Sequence, residues 1–199
     1  NIGKGANSVA GNTVLGENAL DASVSGGNNT AIGNSALTAL TSGSSNTVVG
    51  ASAGDAITTG VHNIAIGRGT LGVLTSGTHN VAVGDFALDA NETASSNTAI
   101  GDSALGANTT GTDNVAIGAS ALDANTTASN NTAVGKSALG ANTTGTQNVA
   151  VGALALDACT IGSRNVAIGE GSLSSSTTAS DNTAIGRDCM FLNTTGHSN

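Results

Sequence analysis

Asn114-Val115-Ala116-Ile117-Gly118 is one copy of a string that returns along almost the whole chain. Its closing glycine stands at Gly16, Gly33, Gly50, Gly67, Gly84, Gly101, Gly118, Gly135, Gly152, Gly169 and Gly186, and every gap is 17 residues. Its opening asparagine, four residues earlier, recurs without exception from Asn12 to Asn199. A period held this strictly marks a repeat architecture in which each unit contacts its neighbours. With offsets counted from that glycine, Leu holds offset four in nine of eleven repeats, and Gly54 and Met190 are the departures. Thr holds offset eight in nine of eleven. Offset five alternates: Asp21, Asp55, Asp89, Asp123 and Asp157 are separated by Thr38, Gly72, Gly106 and Gly140, so pairs of repeats form a longer unit.

The composition agrees with order gained through repetition. The 199 residues include 29 Gly and 2 Phe, with no Pro, Trp or Tyr, and only 9% are charged. So few large side chains exclude an ordinary globular core, and so little charge is unlike a chain held open by self-repulsion. A net charge of −8 with five Lys+Arg excludes a basic nucleic-acid surface or a polybasic membrane patch. No apolar run reaches the length of a membrane-spanning helix. The chain reads as one repeat domain, 1–199, of about eleven coils with 1–11 as an irregular or partial first coil, and as a fragment of a longer fibre.

Abundant Gly and β-branched residues, without a helical period, predict an all-β parallel solenoid or β-roll of 17-residue coils. Strands of successive coils then pair about 4.8 Å apart, giving a rod near ~56 Å long. Two strands per coil are expected, one at 114–118 and one at Ser-Ala-Leu-x-Ala, 120–124, with turn chemistry at Thr109-Thr110-Gly111-Thr112. Asn29, Asn46, Asn63, Asn80, Asn97, Asn114, Asn131, Asn148, Asn165 and Asn182 fit a stacked amide ladder, or Asx turns opening each strand. Of 18 charged side chains, 16 fall at offsets one, five and twelve, which predicts three solvated columns. Asp on alternate coils at offset five keeps like charges about 9.6 Å apart, near a Debye length.

The strand itself never bears a charge on either face in eleven repeats. A sheet with one face in water alternates apolar and polar residues, so both faces are expected to be covered. Ala suits a narrow interior. The outward row of Ile32, Val49, Ile66, Val83, Ile100, Ile117, Val134, Val151, Ile168 and Ile185 calls for a cover, and another copy of the same chain is the economical one. A monomeric solenoid is the alternative.

In tandem, Asn114-Val115-Ala116-Ile117-Gly118 and Asn148-Val149-Ala150-Val151-Gly152 resemble the head repeats of trimeric autotransporter adhesins of the YadA type. The resemblance covers about 12–199 and implies a left-handed parallel β-roll with three chains around an axis, the aliphatic residues meeting at its centre. Those heads repeat at a somewhat shorter length, and the extra residues here fall in the Asn-Thr-Thr-Gly-Thr turn. This stretch carries neither the family's coiled-coil stalk nor its anchor barrel. Similar arrays are found in phage tail fibres.

Nearly every polar residue belongs to a column, so no catalytic constellation, cofactor site or metal site is expected. His62 and His79 share offset twelve on adjacent coils, roughly 5 Å apart, with Ser45 and Ser96 flanking them in place of a third ligand. No calcium-binding nonapeptide is present. Cys159 and Cys189 lie two coils apart in different columns, too far for a disulfide. The sequons at Asn108 and Asn142 follow from the repeat. Thr110-Gly111-Thr112 and Thr144-Gly145-Thr146, with Thr93-Ala94-Ser95 and Thr127-Ala128-Ser129 between them, resemble the Thr-x-Thr ranks of ice-binding solenoids, although Val61, Ile161 and His197 interrupt them.

The expectation is a non-enzymatic structural and adhesive fibre segment, homotrimeric, on a bacterial outer surface, with a host-surface or matrix receptor as partner. It would bind no nucleic acid and insert into no membrane. A phage tail-fibre shaft on a virion and an ice-binding solenoid are the alternatives. Exposed offset-one and offset-twelve residues such as Arg68, Asp113, Lys136 and Arg164 are the surface available to a ligand.

Overall fold

The computed structural model describes residues 2, 3 and 8–199, with Ile2 described by its backbone alone; Lys4 and much of the irregular first coil expected at 1–11 lie outside these residues. Among the described residues, twelve short strands form a single sheet in sequence order, from β1 (Ile2–Gly3) and β2 (Thr13–Leu15) to β12 (Thr183–Ile185). β1 pairs antiparallel with β2, and every later pairing is parallel. Between β8 (Val115–Ile117) and β9 (Thr132–Val134), Val115 faces Thr132, Ala116 faces Ala133 and Ile117 faces Val134. Each repeat is therefore one coil of a β-solenoid, about ten turns long, and equal residues stack on equal residues.

The strands are only three residues long because the repeat glycine ends each one. Gly118 has φ +135, a backbone conformation that L side chains adopt only under strain, and a Cβ there would lie 2.5 Å from the carbonyl oxygen of Gly135. Coil-to-coil contact at this corner is backbone on backbone, which leaves room only for glycine.

The second strand expected at 120–124 does not form. Ser120 and Leu122 both sit in the left-handed region, at φ 55 and 52, and the whole segment is a turn. The chain still bonds to both neighbours: the Ser120 N–H donates to Asp102 O at 2.9 Å and the Leu122 N–H to Ala138 O at 3.1 Å. Left-handed geometry costs an L residue about 1–2 kcal/mol, whereas burying a Leu side chain contributes about 1.5–3 kcal/mol. Leu122 and its column equivalents are fully buried, so burial offsets the strain. Gly54 replaces Leu in one coil with the same backbone, φ 54, and the Ile57 side chain fills the space, its Cδ1 lying 2.9 Å from where a Cβ would stand.

The interior is a thin stack of Ala at offsets three and fifteen, Leu at offset four and Asn at offset thirteen. The Asn46 backbone N–H and Nδ2 both donate to Asn29 Oδ1, at 3.0 and 3.1 Å, and Nδ2 also reaches Gly60 O at 2.9 Å. The same pattern runs through Asn63, Asn80, Asn97, Asn114, Asn165 and Asn182. Asn131 and Asn148 join it through their backbone N–H groups, which donate to Asn114 Oδ1 and Asn131 Oδ1. Burying an amide is tolerable only when its donors and acceptor are engaged, and the ladder engages them.

A second ladder, unforeseen in the sequence, occupies offset seven. Asn125 Nδ2 donates to Asn108 Oδ1 at 2.8 Å, and Asn142 Nδ2 to Asn125 Oδ1 at 3.1 Å. Asn97 Nδ2 and Asn108 Nδ2 converge on the same acceptor, Gly111 O, at 2.9 and 3.0 Å, so the two ladders share one carbonyl per coil. The sequon asparagines Asn108 and Asn142 are thus fully buried inside the coil. Cys159 interrupts this ladder: among the described residues Asn142 Oδ1 and Ser176 Oγ are the buried side-chain oxygens without a partner. The Cys159 thiol, whose pKa burial pushes up, reaches only Gly162 O at 3.7 Å. Cys159→Asn restores the donor that Asn142 Oδ1 lacks and is expected to stabilise the fold by about 1–3 kcal/mol. Chemical denaturation measures this; an unchanged or lowered midpoint counts against it.

At offset five Asp21 is exposed, but Asp55, Asp89, Asp123 and Asp157 are half-buried, so this column is not freely solvated as the charge pattern had led us to expect. Asp89 Oδ1 lies 2.8 Å from where a Cβ on Gly72 would stand, and Asp123 Oδ1 has the same spacing to Gly106. Gly on one coil makes room for Asp on the next, which gives the alternation a steric reason beside the electrostatic one. Burial raises the pKa of Asp55, Asp89 and Asp123; Asp55 adds to the rise at Asp89, and Asp102 to that at Asp123. A carboxylate whose folded pKa exceeds its unfolded value destabilises the fold while charged, and this cost disappears as pH falls through the raised pKa. Asn at these three positions should therefore raise the melting temperature at pH 7, and the gain over the wild type should shrink on acidification toward pH 4. A gain that stays constant with pH overturns the assignment.

Candidate assembly face

Strand alternation turns offset fifteen inward and offsets fourteen and sixteen outward. Ala116 and its column equivalents are buried, while the two outward rows form the outer face of the sheet. Ile66, Ile100, Ile117 and Ile168 are 38–40% exposed despite neighbours stacked on both sides, and Ile185 reaches 67%. Beside this Ile/Val row runs an offset-fourteen row of Thr, Val and Ile, including Thr98, Val115 and Ile64. The result is a flat, β-branched strip without a charge along its length, open to solvent in the single chain.

Charged columns border the strip on both sides. Offset twelve precedes it, with Asp113, Arg164 and Asp181, and offset one follows it, with Arg68, Asp85, Lys136 and Glu170. Ion pairs run along these columns from coil to coil. Arg164 grips Asp181 through two bonds of 2.6 and 2.7 Å, and this bonding holds the Asp181 carboxyl below its ordinary value and raises the guanidinium. Arg68 stands 3.5 Å from Asp85 and 4.7 Å above the Phe86 ring. Exposed pairs of this kind contribute little to stability, so their effect is on surface pattern: an apolar strip inside a polar rim, the anatomy of a protein interface.

The remaining chemistry-bearing residues are dispersed. Both cysteines are free thiols, Cys159 buried and Cys189 partly so. Among the described residues no three His, Cys, Asp or Glu side chains converge on a metal-sized site. The His62 and His79 rings stack with centroids 4.9 Å apart. In the Thr ranks, Thr110 is exposed, whereas the Thr112 N–H is bonded to Ser129 Oγ at 2.9 Å and its side chain is half-buried. Among the described residues there is no helix long and apolar enough to cross a membrane.

Comparison with protein-family models, curated proteins and solved structures found no match. The functional reading therefore rests on the strip and its rim.

Proposed function

We propose that the chain is a rod-like segment of a surface fibre that assembles with two further copies through the strip built on Ile32, Val49, Ile66, Val83, Ile100, Ile117, Val134, Val151, Ile168 and Ile185. The observation that carries this reading is an outward Ile/Val row that runs the whole rod in a strip without a charge, bordered on both sides by charged columns. Solvated β-branched faces of this extent are aggregation-prone unless a partner covers them, and identical chains in register offer a matching strip. The motif resemblance to trimeric adhesin heads favours three copies and an extracellular setting. An assembled rod presents the bordering columns outward at each coil, so weak contacts with a receptor repeat along its length and add through avidity.

Molar mass in solution tests the proposal. Light scattering should give three times the 18.8 kDa chain. A monomer that persists at high protein concentration overturns it.

A further inference from the structure

We propose that His62 and His79 form a two-imidazole site for a divalent transition ion, with copper(II) the strongest binder. The two residues occupy the same column on adjacent coils, and their rings stack at 4.9 Å with 22° between planes. Each backbone is anchored by the coil beneath: the His62 N–H donates to Ser44 O at 3.1 Å and the His79 N–H to Val61 O at 3.2 Å. The side chains therefore project in parallel from a rigid ladder, and both are exposed.

The two rings are close enough to share one ion once one of them turns out of the stack. His79 Nδ1 lies 3.1 Å from Thr78 Oγ1, and with its proton on Nδ1 donated to that hydroxyl, Nε2 keeps a free lone pair. A hydrogen bond that fixes the tautomer in this way is the usual outer-sphere support of a ligating histidine. His62 stands beside Val61, which offers no hydroxyl, and its exposed ring rests against that of His79. A metal with bonds of about 2.0–2.1 Å holds two imidazole nitrogens within roughly 4 Å of each other, and rotation of one exposed ring out of the stack aims both in-plane lone pairs at the ion. Ser45 and Ser96, the column neighbours, are small and leave the outer side open for water to complete the coordination. Imidazole pairs favour copper(II) over nickel(II) and zinc(II), and the net charge of −8 draws cations to the rod.

The test is calorimetric titration of the protein with copper(II) in a non-coordinating buffer, with electron paramagnetic resonance reading nitrogen coordination. His62→Asn and His79→Asn are the informative variants, because Asn28 and Asn130 already adopt the same left-handed backbone in this column. Wild-type protein should bind one ion per chain with two nitrogen ligands. Each single variant should lose at least the roughly tenfold in affinity that removal of even an outer-sphere partner costs. His197→Ala, which removes the acceptor of the Ser180 N–H, should bind as wild type does. Undiminished binding in the His62→Asn/His79→Asn double variant, or its loss in His197→Ala, overturns the proposal.

Discussion

Gly118→Ala is expected to destabilise the chain by more than about 4 kcal/mol, a loss large enough to unfold several coils. Two costs coincide there. The backbone at φ +135 is one that alanine adopts only under strain, about 1–3 kcal/mol. The new methyl would also stand 2.5 Å from Gly135 O, and that carbonyl cannot retreat without breaking the register of the next coil. Gly186 separates the two effects. Its φ is +132, yet a Cβ there would meet only Cys189 Cβ at 3.9 Å. Gly186→Ala should therefore carry the strain without the overlap and lose far less. Circular dichroism and denaturation midpoints decide the matter; equal losses in the two variants would falsify the claim that backbone contact between coils selects glycine.

Ile117→Asp is expected to leave the single coil folded and abolish assembly. In the isolated chain Ile117 is 38% exposed and points away from the core, so the cost to folding is that of β-propensity, about 1 kcal/mol. At the proposed three-chain axis the same substitution would bury three like charges without partners, at several kcal/mol each. Light scattering should show the mass falling to that of one 18.8 kDa chain with the circular dichroism spectrum retained. Thr110→Asp, on an exposed side away from the strip, should leave assembly intact. An Ile117→Asp variant that stays assembled places the interface elsewhere.

The columns differ in how plainly they can be read from residues alone. The Asn column was legible as a stacked amide ladder or as Asx turns, and the amide-to-amide bonds from coil to coil select the ladder. The glycine column was legible as punctuation, although its cause, the Gly135 carbonyl over Gly118, is a contact between residues 17 apart. The segment 120–124 misled because Ser-Ala-Leu-Asp-Ala carries a large apolar side chain and contains neither Gly nor Pro to mark a turn. Left-handed Leu122 is unfavourable locally and is adopted because the turn delivers its side chain into the core. The offset-seven ladder was missed for a related reason: Asn108, Asn125 and Asn142 each stand just before a Thr pair, where Asn is ordinarily a turn residue. Their own 17-residue spacing was the available signal.

By itself, the sequence determined the register. An unbroken period of 17 without insertions permits one stacking, because a slip by a single residue would break every column at once. Only the tertiary structure decided that 120–124 turns and does not extend, that the offset-seven amides are enclosed, and that offset five is half-buried over most of the rod. Those outcomes depend on how sharply each coil bends, and the bend is set by left-handed residues whose cost is met by contacts made one coil away.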